Sequence, residues 1–175
     1  MKSSAFSSLA ALVVLIAGCV RRPPPPPPAP PAPLAPDAAA MQRDLSVQMQ
    51  RAMAAVQAKD AAATAAMFTG DAIWILPEAS TYKGRTEIEQ GANAFFRAFE
   101  SMTVSSTTID RLVVICDSEA LTFSTANYFA KQKSKKPESR RNPFADDWKK
   151  GADSIWRIAY EVDADGTAHD ALLKP

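Results

Sequence analysis

The sequence predicts an α+β domain in which helices cover the concave face of a strongly curved, mostly antiparallel sheet, preceded by a disordered proline-rich linker. Two observations carry this prediction. Apolar residues recur at helical spacing through the early part of the foldable region and then give way to long β-type segments. Helices that come first and strands that come last segregate into layers, whereas parallel βαβ units would alternate them. A bent sheet with helices across its concave side encloses space, so a cavity is expected from architecture alone.

The elements follow in order. Asp37, next to Pro36, is placed as the N-cap of a first helix whose core face is Met41, Leu45, Met49, Met53 and Val56. Asp60 caps a second, short helix running to Phe68 and closed by Thr69-Gly70. Ala72 to Leu76 reads as a buried strand stopped by Pro77, and Thr81 to Gly84 as a short strand and turn. Ile88, Ala92, Phe95, Phe96 and Phe99 then define a helix with an aromatic face. Four long β segments follow, over about 102–116, 119–131, 143–150 and 155–163. On the last, strict alternation places Trp156, Ile158 and Tyr160 on one face and Arg157, Ala159 and Glu161 on the other.

What precedes the domain has a different composition. Lys2 is followed by an uncharged run from Ala5 to Ala17 that ends in Leu15-Ile16-Ala17-Gly18-Cys19, too short to span a bilayer, which needs about 20 apolar residues. This stretch resembles the bacterial lipoprotein signal, which implies cleavage after residue 18 and a lipid on Cys19. Val20 stands where Asp would hold an enteric lipoprotein at the inner membrane, so the resemblance implies an outer-membrane anchor facing the periplasm. From Pro23 to Pro36 ten of fourteen residues are proline. Such a tract favours polyproline II and makes a spacer on the order of 40 Å long. The expected organisation is a signal segment at 1–18, a lipidated Cys19 and spacer over 19–36, the folded domain over 37–165 and a tail over 166–175.

Charge and cysteines narrow the function classes. Without the signal segment the chain has 19 basic and 19 acidic residues, which argues against nucleic acid as a partner. A local excess of basic residues over 131–150 reads as a solvated hairpin loop, with contact to anionic lipid headgroups as the alternative. Cys116 ends the apolar run Leu112 to Cys116 and reads as a small buried hydrophobe. His169, the only histidine, lies in the polar tail, so neither a histidine triad nor a histidine metal cluster can be assembled. No catalytic residue, metal site or cofactor is assigned.

Three motifs carry a second resemblance. Lys59-Asp60-Ala61 leading into Met67-Phe68-Thr69-Gly70-Asp71-Ala72-Ile73-Trp74 is the first, and Tyr82-Lys83-Gly84-Arg85-Thr86-Glu87-Ile88 the second. The third is Trp148-Lys149-Lys150-Gly151 with Ile155-Trp156-Arg157-Ile158. In this order they resemble the ketosteroid-isomerase-like, SnoaL-like group of the nuclear-transport-factor-like cone fold, over about residues 40–165. In ketosteroid isomerase an Asp base works beside an oxyanion hole of Tyr and protonated Asp. The family's base precedes a proline at the end of the first strand, and here that residue is Leu76, which can neither take nor give a proton. Relatives often carry an acid near Glu161, which makes it the first choice for a polar group in the cavity; Asp110, an acid within an apolar and Thr-rich strand, is the second.

Trp74, Tyr82, Tyr128, Trp156 and Tyr160 complete the candidate pocket as amphipathic aromatics that offer an apolar wall with a polar edge. Three functions remain in view. The leading one is a membrane-anchored module that binds a small apolar ligand or a partner, with a homodimer formed through the sheet. The others are an isomerase, dehydratase or cyclase using Glu161 or Asp110 with Tyr82 or Tyr128, and a purely structural envelope protein.

Overall fold

Helix α1 (Ala38–Ala58) starts where the Asp37 carboxylate accepts the Ala40 N–H at 2.9 Å and stops where Lys59 turns left-handed at φ 54°. It belongs to a computed structural model that describes residues 37–77 and 80–163. The signal segment, Cys19, the proline spacer and the tail with His169 lie outside the described residues. Met41, Leu45, Met49 and Ala52 bury one stripe of α1, as the spacing requires. Each large apolar side chain so buried contributes roughly 1.5–3 kcal/mol. The Lys59 ammonium then donates to the carbonyls of Phe99 and Glu100, both at 2.7 Å, which ties the end of α1 to the sheet.

Asp60 caps α2 (Ala61–Ala66) through the Ala63 N–H at 2.9 Å. Thr69 and Gly70 do not close this helix, because the strand β1 (Phe68–Ile75) already begins at Phe68, whose ring is buried in the core. Strand β2 (Thr81–Lys83) pairs back on β1, and α3 (Gly84–Arg97) follows at once. Gly84 has φ 71°, and a Cβ there would sit 3.1 Å from the Gly70 carbonyl, so this tight strand-to-helix step calls for glycine. Phe99, expected at the end of the helix, is the first residue of β3 (Phe99–Cys116).

Strands β4 (Glu119–Gln132), β5 (Glu138–Lys150) and β6 (Trp156–Asp163) complete a six-stranded sheet of order β2-β1-β6-β5-β4-β3. Every pair is antiparallel except β1 with β6. The helices pack on one face of this sheet, so the predicted α+β class is the observed one. Strand β5 starts five residues earlier than expected. The basic segment is therefore a strand for most of its length, with only a short turn between Gln132 and Glu138.

Two bulges decide which side chains face inward. On β6, Ile158 pairs with Trp148 but Tyr160 pairs with Asp147, leaving Ala159 as an extra residue. The alternation reverses there, and Glu161 joins Trp156 and Ile158 on the concave face while Tyr160 turns outward. On β3, Ile109 pairs with Ser124 and Arg111 with Phe123, so Asp110 is the extra residue. Cys116, at the end of β3, is exposed instead of buried, and its thiol lies 3.5 Å from the Ser118 hydroxyl in the turn.

Candidate functional site

The concave face and the helices enclose a cavity of about 650 Å³. That is the size of a small-molecule site. Its apolar wall comes from α1 and α3 (Met53, Val56, Phe95, Phe96) and from Trp74 and Phe144 on the sheet. Leu76, at the position of the family's base, lies in this wall and leaves that place without a titratable group.

One register row across the sheet carries Trp74 and Glu161, which line the cavity, and the buried polar groups beside them. Trp74 on β1 pairs with Glu161 on β6, Glu161 with Asp146 on β5, and Asp146 with Thr122 on β4. Asp146 is 1% exposed, and its Oδ2 accepts from the Thr122 hydroxyl at 3.2 Å. That hydroxyl in turn accepts from the Trp148 indole N–H at 3.0 Å. Asp146 Oδ1 has no hydrogen-bond partner among the described residues, and Glu161 is the neighbouring carboxyl across the ladder.

A fully buried carboxyl beside a half-buried one across the ladder disfavours ionisation of both. Burial pushes Asp146 up to about 8, reinforced by the negative charge of Asp163 and opposed by the Thr122 hydrogen bond. Glu161 is raised well above the ordinary carboxylate range, first by burial and then by the charges of Asp146 and Asp163. The pair therefore holds a proton at neutral pH and titrates as a unit. The Trp74 indole N–H lies on the Glu161 side and favours its ionised form without completing a hydrogen bond.

Further along β5 and β4 the cavity reaches a second polar region. Asn142 donates to Asp163 at 2.8 Å. Arg140 pairs across the ladder with Tyr128 and forms an ion pair with Glu138. Its guanidinium also stands over the Phe99 ring, 5.8 Å from the centroid. Burial raises the Tyr128 pKa, so the phenol keeps its proton.

The structure brings Trp74, Tyr128 and Glu161 together around the cavity and does not bring the other candidates there. Tyr82 packs behind Trp74 at 5.8 Å between ring centroids, against Gly91 of α3, where it supports the wall. Asp110 is carried off the cavity by its bulge and accepts from Thr125 at 2.7 Å. Trp156 fills the core near the start of α1, and Tyr160, 38% exposed, faces out. Sequence reasoning missed Asp146, Arg140, Asn142 and Asp163. The signal for Asp146 was present, since it alternates with Phe144 and Trp148 and so shares their buried face.

Comparison with known proteins agrees with this architecture. The family model described as a SnoaL-like domain matches residues 49–158. No curated protein matches the chain in sequence. Among solved structures, a ketosteroid isomerase-like protein from Erwinia carotovora atroseptica superposes with a TM-score of 0.62 at 16% identity, covering 70% of this chain and 93% of that one. A putative scytalone dehydratase from Novosphingobium aromaticivorans gives 0.64 at 12% identity, covering 71% and 83%. A nuclear transport factor 2-like superfamily protein from Salmonella enterica gives 0.62 at 13%, covering 72% and 91%. At these identities the likeness is one of fold.

Proposed function

We propose that this chain, which belongs to the SnoaL-like domain family, binds a small, largely apolar organic molecule in its cavity and is held at a membrane through a lipid on Cys19. The observation that carries the binding reading is the cavity of about 650 Å³, walled by aromatic and methionine side chains with a few polar groups converging on it. Apolar walls supply affinity without direction, and a few fixed polar groups supply orientation. The lipobox-like run before Cys19 and the proline spacer support the tether, on the outer membrane facing the periplasm. Several acyl chains anchor stably where one does not.

Native mass spectrometry of the protein purified from its own envelope tests the binding reading. A co-purifying mass lost on denaturation is the expected result, and a protein that stays at its apo mass and takes up no hydrophobic probe would refute it. For the anchor, Cys19→Ala should shift the protein from the membrane to the aqueous fraction; unchanged fractionation excludes acylation.

A second reading is favoured by one specific observation, the proton-holding Asp146–Glu161 pair beside the cavity. A raised carboxyl in a pocket is suited to general acid–base work at neutral pH. Glu161 would exchange the proton with the ligand and Asp146 would hold Glu161 in position, in an isomerisation, dehydration or elimination. The putative scytalone dehydratase of similar fold gives this reading a precedent in fold only. Loss of turnover in Glu161→Gln with ligand binding retained would separate it from binding alone.

A further inference from the structure

We propose that the cavity selects an amphiphile with an anionic head group, and that Arg140 and Tyr128 hold this head at the end remote from the Asp146–Glu161 pair. The inference rests on the binding reading above and adds a ligand class to it. It starts from the basic segment 131–150, which the sequence sets apart and the cavity explains in part. Along the inward face of β5 the side chains run Asp146, Phe144, Asn142, Arg140. Six residues of strand separate the two ends, on the order of 20 Å. Between them the lining is mainly apolar, with Met102, Val104 and Ala126 added to the helix side chains. A ligand that fills this space is apolar in its middle and meets different chemistry at each end.

The Arg140 end is built to receive an oxyanion. Its guanidinium is fixed by the Phe99 ring and by Glu138, and Tyr128 stands opposite it across the ladder. Burial keeps the Tyr128 phenol protonated, so its O–H is a donor beside the guanidinium. A guanidinium N–H and a phenol O–H side by side match the two oxygens of a carboxylate, or two of a phosphate. Arg141, Lys133, Lys135 and Lys136 lie on the same hairpin, all four exposed. Asp163 on β6 and Glu138, which is paired with Arg140, oppose this charge with two carboxylates against the five basic groups named. Positive groups therefore remain in excess here, whereas the opposite end holds two carboxyls that would repel an anion once ionised.

Titration calorimetry with dodecanoate, 1-dodecanol and dodecyltrimethylammonium, each kept monomeric, tests the assignment. The carboxylate should bind at least about tenfold more tightly than the alcohol, as a charge-assisted pair allows. The ammonium should be the weakest. Arg140→Gln and, separately, Tyr128→Phe should bring the ratio of carboxylate to alcohol affinity toward one; the wild-type ratio alone decides if either variant fails to fold. Equal affinity for carboxylate and alcohol, or preference for the ammonium, overturns the head-group assignment while leaving the apolar pocket intact. Binding of none of the three sinks the pocket reading with it. Dodecanoate that associates only with protein bound to anionic-lipid vesicles assigns the basic hairpin to a membrane surface and overturns the proposal.

Discussion

Asp146 and Glu161 are cross-strand partners on β5 and β6; Glu161 lines the cavity and Asp146 lies fully buried beside it. The pairing exists because one extra residue, Ala159, reverses the alternation of β6. Without that bulge Glu161 would face out, and Asp146 would be a single buried acid. Placing both acids on the concave face stores an electrostatic cost that is kept low only by the shared proton.

That cost has a direction in pH. An acid with a raised folded pKa binds its proton more tightly in the folded state, so its contribution is fully present below the unfolded value near 4 and is lost as pH rises. For Asp146 the loss runs from there to about 8. Asp146→Asn removes the titration and keeps a polar group for Thr122. Thermal unfolding should show the wild type falling relative to Asp146→Asn between pH 4 and 8, by roughly 3 °C or more at the upper end. Parallel curves for the two proteins would show that the pair is not proton-bound.

Thr122 donates to Asp146 and accepts from the Trp148 indole, all three fully buried. Thr122→Val keeps the shape and deletes the hydroxyl, leaving an indole N–H and a carboxyl oxygen without their partner. Stability should drop by roughly 1–3 kcal/mol in urea unfolding. Thr122→Ser, which keeps the hydroxyl, should recover part of it; a Val variant as stable as wild type would mean that water replaces the bridge.

The two helices capped by Asp37 and Asp60, the methionine stripe and the order of the long strands were legible because each rests on a local pattern: an acid before an apolar period, or a run of β-type residues between turns. Tyr160 and Asp110 were misplaced because their positions depend on bulges. Nothing about Ala159 announces that it will lose its partner, since the extra residue is fixed by pairing with β5 on one side and with the sequence-distant β1 on the other. Asp146 was readable and was passed over because acids are expected on the solvent side. Cys116 was misread because an apolar run was taken to stay buried to its end, whereas β3 extends to the hairpin tip, where Ile115 is also exposed.

Gly84 and Gly70 face each other at the step from β2 into α3, and they should respond differently to the same methyl group. At Gly84 an added Cβ meets the Gly70 carbonyl at 3.1 Å and the backbone is left-handed, so Gly84→Ala should cost roughly 1–2 kcal/mol. At Gly70 nothing lies within 4 Å of an added Cβ. Gly70→Ala should be neutral or slightly stabilising through the unfolded chain. Equal losses in urea unfolding would show that the turn tolerates a side chain.

Cys116 supplies the sharpest solution test of where β3 ends. A thiol in the core reacts only when the domain opens, whereas an exposed one reacts in the native state. Cys116 is exposed, and the Ser118 hydrogen bond holds its pKa below the ordinary thiol value. In a chain carrying Cys19→Ala, so that Cys116 is the remaining cysteine, maleimide should label the native protein within about threefold of the rate in denaturant. Ser118→Ala removes the side-chain partner of the thiolate and should slow native labelling by roughly twofold to fivefold at pH 7.5. The two variants separate the possibilities: labelling that appears only in denaturant puts Cys116 back in the core, and native labelling indifferent to Ser118 keeps it exposed but removes the hydrogen bond as the cause of its reactivity.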